Sequence, residues 1–358
     1  MRAGIVGAGI MGQLLALELI NSGWDVTLFD PNSTNNCSMV AAGLLTPISE
    51  LEKSDLVIFQ LGIKAISQYW PEILAILPTR VFFRQMGSLV ISHPHEHADL
   101  KRLIQIISSK LTTSNPNFYH EVSQEKILKL ENDLDKFSHG YYFPQEGQVD
   151  SQSFLAILAE YLADKTLLIK SSVSNITSRK IVSQHKKYNF DLVFDCRGLG
   201  ARTVFKNLRS IRGELIWLHA PDVVITRPVR FLHPRYSLYL VPRDNNIYLV
   251  GASEVESQDD SCISVRTTLE LLTAAYYIQP KFAEARIIKT ATQCRPTLND
   301  HLPKIQHKDG VIAINGLYRH GFLIAPTLAK EIMKFIQHGY SALCHPQLWE
   351  NAYDDYST

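Results

Sequence analysis

The sequence lacks an excess of charge of either sign. Its 358 residues contain 36 Lys and Arg against 35 Asp and Glu, so the formal net charge is only +1. A chain without a strong global field does not concentrate nucleic acid or an anionic membrane surface, and we expect neither as a partner. The apolar fraction of 46% is sufficient for a substantial core, in one domain or in two closely joined domains.

Cysteine is also scarce, and its spacing argues against cysteine-based sites. The five cysteines are odd in number and never spaced as C-x-x-C; they are Cys37, Cys196, Cys262, Cys294 and Cys344. We therefore predict reduced thiols in a cytoplasmic protein, with neither a disulfide framework nor a metal site. The alternating His93, His95 and His97 resemble metal ligands, but their place after a predicted strand favours a solvated loop.

Long uninterrupted apolar runs are absent as well. The first 20 residues carry a basic residue and an apolar run, as a signal peptide does, but four glycines interrupt them and no A-x-A cleavage site follows. No other stretch approaches the roughly 20 apolar residues of a membrane-spanning helix. The sequence also lacks a G-x-S-x-G motif, so a hydrolase of the nucleophile-elbow type has no support.

The patterns that are present predict an alternating α/β chain with a β-rich insertion. A strand over 3–6, a helix over 10–22 and a strand over 25–29 open the chain as a βαβ unit. A strand pair turned at Met86-Gly87 is expected within 80–93. Further helices are predicted over 54–69, 100–110, 124–134, 151–163, 266–275 and 325–337, and further strands over 166–170, 191–195, 214–219, 237–242, 247–250 and 310–314.

The turn of the opening βαβ unit carries the clearest motif. Residues Gly7, Ala8, Gly9, Ile10, Met11 and Gly12 match G-x-G-x-x-G between a strand and a helix. The glycines permit a tight turn, close approach of a pyrophosphate and close helix packing, and the helix dipole favours the phosphates. Asp30 ends the second strand and is placed to accept hydrogen bonds from ribose hydroxyls. The motif predicts a bound dinucleotide, and FAD and NAD both remain open.

A second set of motifs follows in order along the chain. They are C-S-M-V-A-A-G-L-L-T-P over 37–47, G-Q-V-D over 147–150, D-L-V-F-D-C-R-G-L-G over 191–200, I-R-G-E over 211–214, Y-L-V-P-R over 239–243, V-G-A-S-E over 250–254, C-R-P over 294–296 with Asp300 and Pro303, and G-L-Y-R-H-G-F-L-I-A-P over 316–326. This series resembles the D-amino-acid oxidase superfamily of flavoproteins, and most closely the glycine oxidases of thiamine synthesis. The resemblance covers nearly the whole length and favours FAD over NAD as the cofactor.

The element pattern and the resemblance together predict the fold class. It is α/β, with a Rossmann-type FAD-binding domain and an inserted, largely antiparallel α+β substrate domain. Residues 1–75, 141–208 and 290–358 are expected to form the FAD-binding domain. Residues 76–140 and 209–289 are expected to form the substrate-binding domain.

The resemblance also implies which residues hold FAD. Besides the six residues of the glycine-rich turn and Asp30, the expected cofactor residues are Ser38, Ala41, Ala42, Gly43, Leu44, Gly198, Gly316, Tyr318, Arg319, Gly321, Phe322 and Leu323. The segment that begins at Gly321 is expected to open the last helix, with free N–H groups toward the flavin. Leu317 stands where the family usually has His.

Four residues are expected to act on the substrate. Arg295 and Arg319 are placed by the resemblance near the flavin, and a planar guanidinium matches the two oxygens of a carboxylate. Tyr239 is expected to donate its hydroxyl to the same carboxylate, and Glu254 to pair with a substrate cation. The alternatives are that each arginine caps a helix or pairs with an acid, that Tyr239 only packs in its sheet, and that Glu254 is an exposed carboxylate.

The predicted reaction is oxidation of a small amine or amino acid, with hydride transfer from the α carbon to flavin N5. The resulting imine hydrolyses to an oxo acid and ammonia. Oxygen or another electron acceptor reoxidises the flavin, and the sequence leaves oxidase and dehydrogenase open. A flavoprotein acting on modified tRNA and an NAD-dependent dehydrogenase are the alternatives, the first disfavoured by the missing basic stripe. Assembly into a homo-oligomer also stays open.

Overall fold

The computed structural model describes residues 1–31, 36–111, 117–233 and 237–350. Its helices and strands are numbered here in chain order. The α-helices are α1 (Ile10–Asn21), α2 (Cys37–Val40), α3 (Leu56–Lys64), α4 (Trp70–Ile76), α5 (His97–Lys110), α6 (Gln124–Leu130), α7 (Ser151–Ala163), α8 (Val265–Ile278) and α9 (Gly321–His338).

The first large sheet is mostly parallel and carries the glycine-rich turn. Its strands in the described residues are β1 (Arg2–Val6), β2 (Asp25–Phe29), β9 (Leu167–Ile169), β13 (Leu192–Asp195), β20 (Lys304–Lys308), β21 (Val311–Asn315) and β22 (Trp349–Glu350), in the spatial order β22-β20-β21-β13-β1-β2-β9. Strand β1 lies between β13 and β2 in the interior of the sheet. Its residues Ala3, Ile5 and Val6 are apolar and buried, as a strand covered on both faces requires. Ile5 pairs with Leu28 on one side and Phe194 on the other.

Helices cover this sheet and form its core. Helix α1 is buried along almost its whole length and packs against α9. The indole of Trp70 is fully buried, and its ring centroid lies 4.8 Å from that of Phe154 in an edge-on arrangement. Trp70 Nε1 also donates to Phe322 O at 3.2 Å. These contacts fix the first turn of α9 against the helical segment that contains α4.

The second large sheet is mostly antiparallel. Its strands in the described residues are β5 (Ser88–Ser92), β6 (His120–Ser123), β7 (His139–Phe143), β14 (Arg209–His219), β15 (Val229–Leu232), β16 (Ser237–Pro242), β17 (Ile247–Gly251), β18 (Val255–Glu256) and β19 (Arg286–Thr297). The long strand β14 pairs with both β17 and β19. Helix α8 packs on this sheet through Leu271, Ala274 and Ile278. The predicted fold class, a Rossmann-type unit with a largely antiparallel α+β insertion, is confirmed.

The proposed division into domains follows the two sheets along most of the chain. All seven strands of the parallel sheet lie within 1–75, 141–208 or 290–358. Two strands of the antiparallel sheet cross a proposed boundary, since β7 runs past residue 140 and β19 runs past residue 289. Strand β19 also contacts the short helical turn at Gly198–Ala201, which follows β13 of the parallel sheet. The boundaries themselves stay a prediction.

The strand pair expected within 80–93 is wrong. Strand β4 (Phe83–Arg84) pairs with β8 (Gly147–Val149), whereas β5 pairs with β7 and β15. Gly87, with a φ of +76°, turns the chain from a small sheet that contains β4 and β8 into the antiparallel sheet, and its N–H donates to Glu146 O at 2.9 Å. The local pattern showed a turn between two strands, but distant partners determine which strands pair.

Other elements differ from expectation in length or were missed. The helix expected over 54–69 continues through a π-helical turn at Ala65–Tyr69 into α4. Strand β19 was missed because its first residues are exposed and mixed in polarity. A small meander was missed for the same reason; its strands are β10 (Val173–Thr177), β11 (Lys180–Ser183) and β12 (Lys186–Asn189). The remaining short strand is β3 (Leu44–Leu45), which pairs with β8.

The histidine-rich segment forms a short helical start. His93 Nδ1 accepts the His95 N–H at 3.3 Å, and the imidazole of His93 stacks on Tyr277. Within the described residues, no group of three His, Cys, Asp or Glu side chains is arranged to hold a metal ion. None of the helices in the same residues combines the length and the apolar character needed to cross a membrane.

Candidate active site

The glycine-rich turn joins β1 to α1 with no room for side chains. Gly7 has a φ of +98°, and its N–H donates to Phe29 O at 2.8 Å. A Cβ on Gly12 would lie 1.9 Å from Gly7 O, so α1 packs directly on the turn. Asp30 Oδ2 accepts the Ala8 N–H at 2.7 Å. The turn therefore has the close strand-to-helix geometry that brings backbone N–H groups to a pyrophosphate.

The second predicted cofactor segment lies beside this turn. Ser38 Oγ accepts the Ile10 N–H at 3.1 Å, and a Cβ on Gly9 would lie 3.0 Å from that hydroxyl. Further on, Gly43 has a φ of +65°, and a Cβ there would lie 2.0 Å from Val149 O. The two segments are therefore in direct contact, and small residues are required where they meet.

One elongated cavity extends from the glycine-rich turn to the antiparallel sheet. It encloses about 1290 Å³, its open mouth included. The predicted cofactor residues that line it are Gly9, Ile10, Met11, Ser38, Ala41, Ala42, Gly43, Leu44, Gly198, Tyr318, Arg319, Gly321 and Phe322. The same cavity is lined by Tyr239 and Arg295. Residues from distant parts of the sequence are thus brought to one site.

Six predicted cofactor residues are not part of this lining; they are Gly7, Ala8, Gly12, Asp30, Gly316 and Leu323. Gly316 faces the protein interior, since a Cβ there would lie 2.7 Å from Leu298 Cδ1. Leu323 packs on α3, where a Cβ on Gly62 would lie 2.8 Å from Leu323 Cγ. The contact of all six residues with the cofactor stays a prediction.

The lining suits a flavin dinucleotide. Glycine, alanine and serine residues border the part of the cavity next to the turn, so a cofactor can approach the backbone closely there. Two helices, α1 and α9, begin at the cavity with Ile10 and Gly321. No side chain caps the start of α9, which leaves its first N–H groups available to an anionic or polar group. The residues present therefore fit FAD.

Arg295 lies at the end of the cavity that borders the antiparallel sheet. The substrate is predicted to bind there, so we call it the substrate end. It belongs to β19 opposite Ile211 of β14, and a Cβ on Gly213 would lie 2.2 Å from Arg295 Nη2. Its guanidinium donates to Ser253 O at 3.3 Å. Burial lowers the pKa of Arg295 from its usual value, though an arginine in a protein stays charged. Among the described residues, no carboxylate forms an ion pair with Arg295.

Arg319 and Tyr239 are instead held by a carboxylate that the sequence analysis missed. Arg319 Nη2 lies 2.7 Å from Glu50 Oε2 and also hydrogen-bonds the Tyr239 hydroxyl. Tyr239 donates to Glu50 Oε1 at 2.6 Å. Glu254 is a weaker partner, with its Oε2 3.5 Å from Arg319 Nη1. The pairing with an acid, one of the alternatives for Arg319, is therefore present, and its contact with a substrate stays a prediction.

Two further lining residues carry information that the sequence analysis did not use. Glu50 follows the conspicuous segment 37–47 by three residues, and an acid so close to a cofactor segment was the available signal. His320 lies inside the motif over 316–326 and is buried. Burial and the charge of Arg319 lower the pKa of His320 to about 4, so its imidazole is neutral at pH 7. Burial likewise raises the pKa of Cys37 to about 11, which keeps that thiol protonated.

An outer cavity continues from the substrate end toward solvent. It encloses about 1020 Å³, its open mouth included, and shares Tyr239, Ala252, Arg295 and Arg319 with the inner cavity. Its remaining lining is highly charged; it comprises Lys53, Ser253, Glu254, Val255, Arg266, Thr267 and Glu270. The side chain of Glu254 is 41% exposed. This outer cavity therefore gives a small polar molecule a route to Arg295.

Comparison with known proteins agrees with this geometry. Residues 2–334 match the family described as DAO, FAD dependent oxidoreductase. A Rhizobium etli protein named as a thiamine biosynthesis oxidoreductase, ThiO, is 35% identical over 337 residues, which are 93% of this chain and 96% of that protein. A glycine oxidase of Geobacillus kaustophilus is 24% identical over 361 residues, covering 94% of this chain and 93% of that protein.

Solved structures share the fold. The crystal structure of glycine oxidase from Geobacillus kaustophilus superposes with a TM-score of 0.84 at 21% identity, covering 97% of this chain and 98% of that chain. That of iminodiacetate oxidase from Chelativorans sp. BNC1 has a TM-score of 0.81 at 21% identity, covering 94% and 95%. The family match over most of the chain and the 35% identical relative agree with the cradle and cavity described above. The chain therefore belongs to the DAO family of FAD-dependent oxidoreductases, and its cofactor is FAD.

Proposed function

We propose that this chain oxidises a small amino acid at its amine-bearing carbon, in the manner of a glycine oxidase. One observation carries the proposal. The half-buried guanidinium of Arg295, which has no ion-pair partner among the described residues, lies in the same cavity as the glycine-rich cradle. A partly desolvated cation without an ion-pair partner favours a ligand with a carboxylate. The name of one relative, a glycine oxidase, supports the same substrate class.

The residues that would hold FAD are those of the glycine-rich turn, the segment from Ser38 to Leu44, and the start of α9. When bound, FAD supplies an acceptor for the hydride on the substrate α carbon. The contribution of the chain is to orient that carbon. Arg295 binds the carboxylate through paired N–H donors and so limits the orientations that the amino acid can adopt.

The surrounding residues control protons and water. Leu215, Ala252 and Val40 line the cavity with apolar surface, which lowers the number of water molecules around a bound amino acid. His320 is neutral at pH 7 because its pKa is about 4, so it adds no positive charge beside Arg319. The imine product leaves through the outer cavity, where water hydrolyses it to an oxo acid and ammonia.

The electron acceptor is the second part of the proposal. Oxygen is proposed first, because two of the similar proteins are named as oxidases, a glycine oxidase and an iminodiacetate oxidase. A crystal structure titled L-proline dehydrogenase from P.horikoshii shares the fold with a TM-score of 0.79 at 16% identity, so the fold also accommodates a dehydrogenase. Reactivity of the reduced enzyme toward oxygen or toward an artificial acceptor distinguishes the two.

Anaerobic reduction of the purified flavoprotein tests the proposed function. The panel comprises glycine, sarcosine, D- and L-amino acids, proline, and matched amines that lack the carboxylate, such as methylamine against glycine. We expect at least one amino acid to bleach the flavin absorption, and its decarboxylated counterpart to do so at least ~100-fold more slowly. Reoxidation under air, measured as peroxide, then identifies an oxidase.

Two outcomes would contradict the proposal. If no member of the panel reduces a flavin that dithionite does reduce, the substrate class is wrong while the cofactor stands. If amines without a carboxylate react as fast as the amino acids, Arg295 does not select the substrate. Dithionite reduction is the control that separates a damaged flavin from an incorrect substrate class.

A further inference from the structure

The carboxylate of Glu50 is an unusual group to find at the substrate end of the cavity. Glu50 is only 4% exposed, although it lines the cavity, and both of its carboxylate oxygens have polar partners. Oε1 accepts the Tyr239 hydroxyl at 2.6 Å, and Oε2 lies 2.7 Å from Arg319 Nη2. A buried acid is costly unless it is paired, so these partners are what permit Glu50 to be there.

Glu50 is ionised in this environment. Burial opposes its ionisation, but the charges of Arg319 and then Arg230 outweigh that effect and lower its pKa. Arg230 lies 3.8 Å from Glu50 and has a closer partner in Glu52, at 2.8 Å. The main counterion of Glu50 is therefore Arg319, and the main counterion of Arg230 is Glu52.

The hydrogen bonds around Tyr239 withdraw its proton from the cavity. A tyrosine hydroxyl has one proton to donate, and here that proton points to Glu50. The same hydroxyl oxygen accepts from Arg319. Tyr239 consequently has no proton left for a substrate carboxylate, and Arg319 has its charge balanced by Glu50.

Glu50 is also held rigidly by the backbone that precedes it. Glu146, which is fully buried, accepts the N–H groups of Ile48 and Ser49 at 2.9 and 2.6 Å. Arg230 Nη1 donates to Ser49 O at 2.7 Å. These contacts fix the backbone just before Glu50 and so determine where its side chain begins. The carboxylate itself is held by Tyr239 and Arg319.

The two arginines of the site differ in their ion pairs, although the exposed carboxylate of Glu254 acts on both. Arg319 is neutralised by Glu50, whereas Arg295 has only the Ser253 carbonyl as a hydrogen-bond acceptor among the described residues. A ligand with one carboxylate completes the charge balance at Arg295. A ligand with a second carboxylate would find Arg319 already occupied and would add an unpaired anion beside Glu50.

We propose that Glu50 sets the charge specificity of the substrate site: by neutralising Arg319 and taking the Tyr239 proton, it restricts the site to ligands with a single carboxylate, bound by Arg295. This proposal rests on the proposed function, because it assumes that Arg295 binds the carboxylate of a substrate. Glu50 is a positioning residue in this account and need not contact the reacting atoms.

The test compares carboxylate ligands in the wild-type flavoprotein and in Glu50→Gln. Acetate is the monocarboxylate, and malonate, succinate and glutarate are dicarboxylates of increasing length. Dissociation constants are measured from the perturbation of flavin absorption and, independently, from the ligand-dependent rise in melting temperature. We expect the affinity for the best dicarboxylate, relative to acetate, to rise at least ~10-fold in Glu50→Gln, because Arg319 is then free.

Glu52→Gln is the matched control. Glu52 contacts Arg230 but lies outside the cavity lining, so the same change of charge there should leave the ratio of dicarboxylate to acetate affinity within about twofold of wild type. If the ratio of dicarboxylate to acetate affinity is unchanged in Glu50→Gln while wild type still binds acetate, the proposal for Glu50 is wrong and the proposed function stands. Failure of acetate and of every amino acid to bind to wild type would instead overturn the proposed function.

A second comparison applies if Glu50→Gln does not retain flavin. Arg319→Gln leaves the Glu50 charge without its counterion near Arg295 and should weaken acetate binding at least ~10-fold. Adding Glu50→Gln to that variant removes the repelling charge, and acetate binding should recover. A purely structural role for the pair predicts the opposite, with the double variant as weak as Arg319→Gln or weaker.

Discussion

Two arginines of the same chemistry have different neighbours in this site. Gly213 leaves space for the Arg295 guanidinium, which has only a backbone carbonyl as acceptor. Glu50 occupies Arg319 through an ion pair at 2.7 Å. The sequence assigned both arginines to a substrate carboxylate because residue type reveals a donor but not the acid opposite it. The partner of Arg319 becomes visible only when Glu50, which is distant in sequence, is brought beside it by the fold.

Gly213 provides a residue-scale prediction. A Cβ there would lie 2.2 Å from Arg295 Nη2, so Gly213→Ala should displace the guanidinium without disturbing the cradle. We expect the dissociation constant of acetate to rise at least ~10-fold while FAD remains bound. In a protein that already carries Arg295→Ala, Gly213→Ala should raise the dissociation constant of acetate little further, because the guanidinium that it would displace is absent. If the losses of acetate affinity in the two single variants add up in the double variant, Gly213 acts independently of Arg295.

Among the elements, the turn that carries Glu50 depends on one buried acid. Glu146 accepts two backbone N–H groups of that turn, the Ser49 hydroxyl at 2.8 Å and the Ser88 hydroxyl. No cation pairs with Glu146 among the described residues. Burial therefore raises its pKa to about 7, and the hydrogen bonds from Ser88 and Ser49 offset only part of that effect.

The element-scale prediction concerns pH. Because the pKa of Glu146 is raised on folding, from 4.5 to about 7, its contribution to stability is fully present below pH 4.5 and is lost as pH rises through 7. The free energy of unfolding falls by roughly 3 kcal/mol at most over this pH range. Glu146→Gln resembles the protonated acid and does not titrate. Its melting temperature relative to wild type should therefore increase by several degrees between about pH 5 and pH 8.

Exposed Glu160 on α7 supplies the control for this pH series. Glu160→Gln removes an acid of the same type, and its melting temperature should follow that of wild type at every pH. If the difference in melting temperature between Glu146→Gln and wild type stays constant with pH, then Glu146 does not change protonation in this range. Its effect on the turn would then come from its hydrogen bonds only.

The elements that the sequence predicted well are those whose signal is local. The βαβ start and α7 follow their predicted bounds closely, because apolar periodicity and capping lie within the segment itself. The pairing of β4 and β5 could not be predicted, since each strand has a partner that is distant in sequence. Strand β19 was missed because its exposed first half lacks the alternation that marks a strand.

For the whole molecule, the site lies where the two large sheets meet. The parallel sheet supplies the glycine-rich turn and the start of α9, and the antiparallel sheet supplies Tyr239 and Arg295. The motifs along the sequence predicted most of the cavity lining, because close backbone approach leaves glycine and alanine in recognisable patterns. They did not predict Glu50, because its role depends on the charges around it and not on a spacing.

The most direct test of this account is an acetate titration of the FAD-loaded protein, comparing wild type with Arg295→Ala. Both proteins are expected to retain one FAD per chain, because the cradle lies away from the substitution. Acetate should perturb the flavin absorption of wild type, and its dissociation constant should rise at least ~10-fold in Arg295→Ala. A chain that neither retains FAD nor takes it up on reconstitution, or an acetate affinity that is equal in the two proteins, would contradict the account.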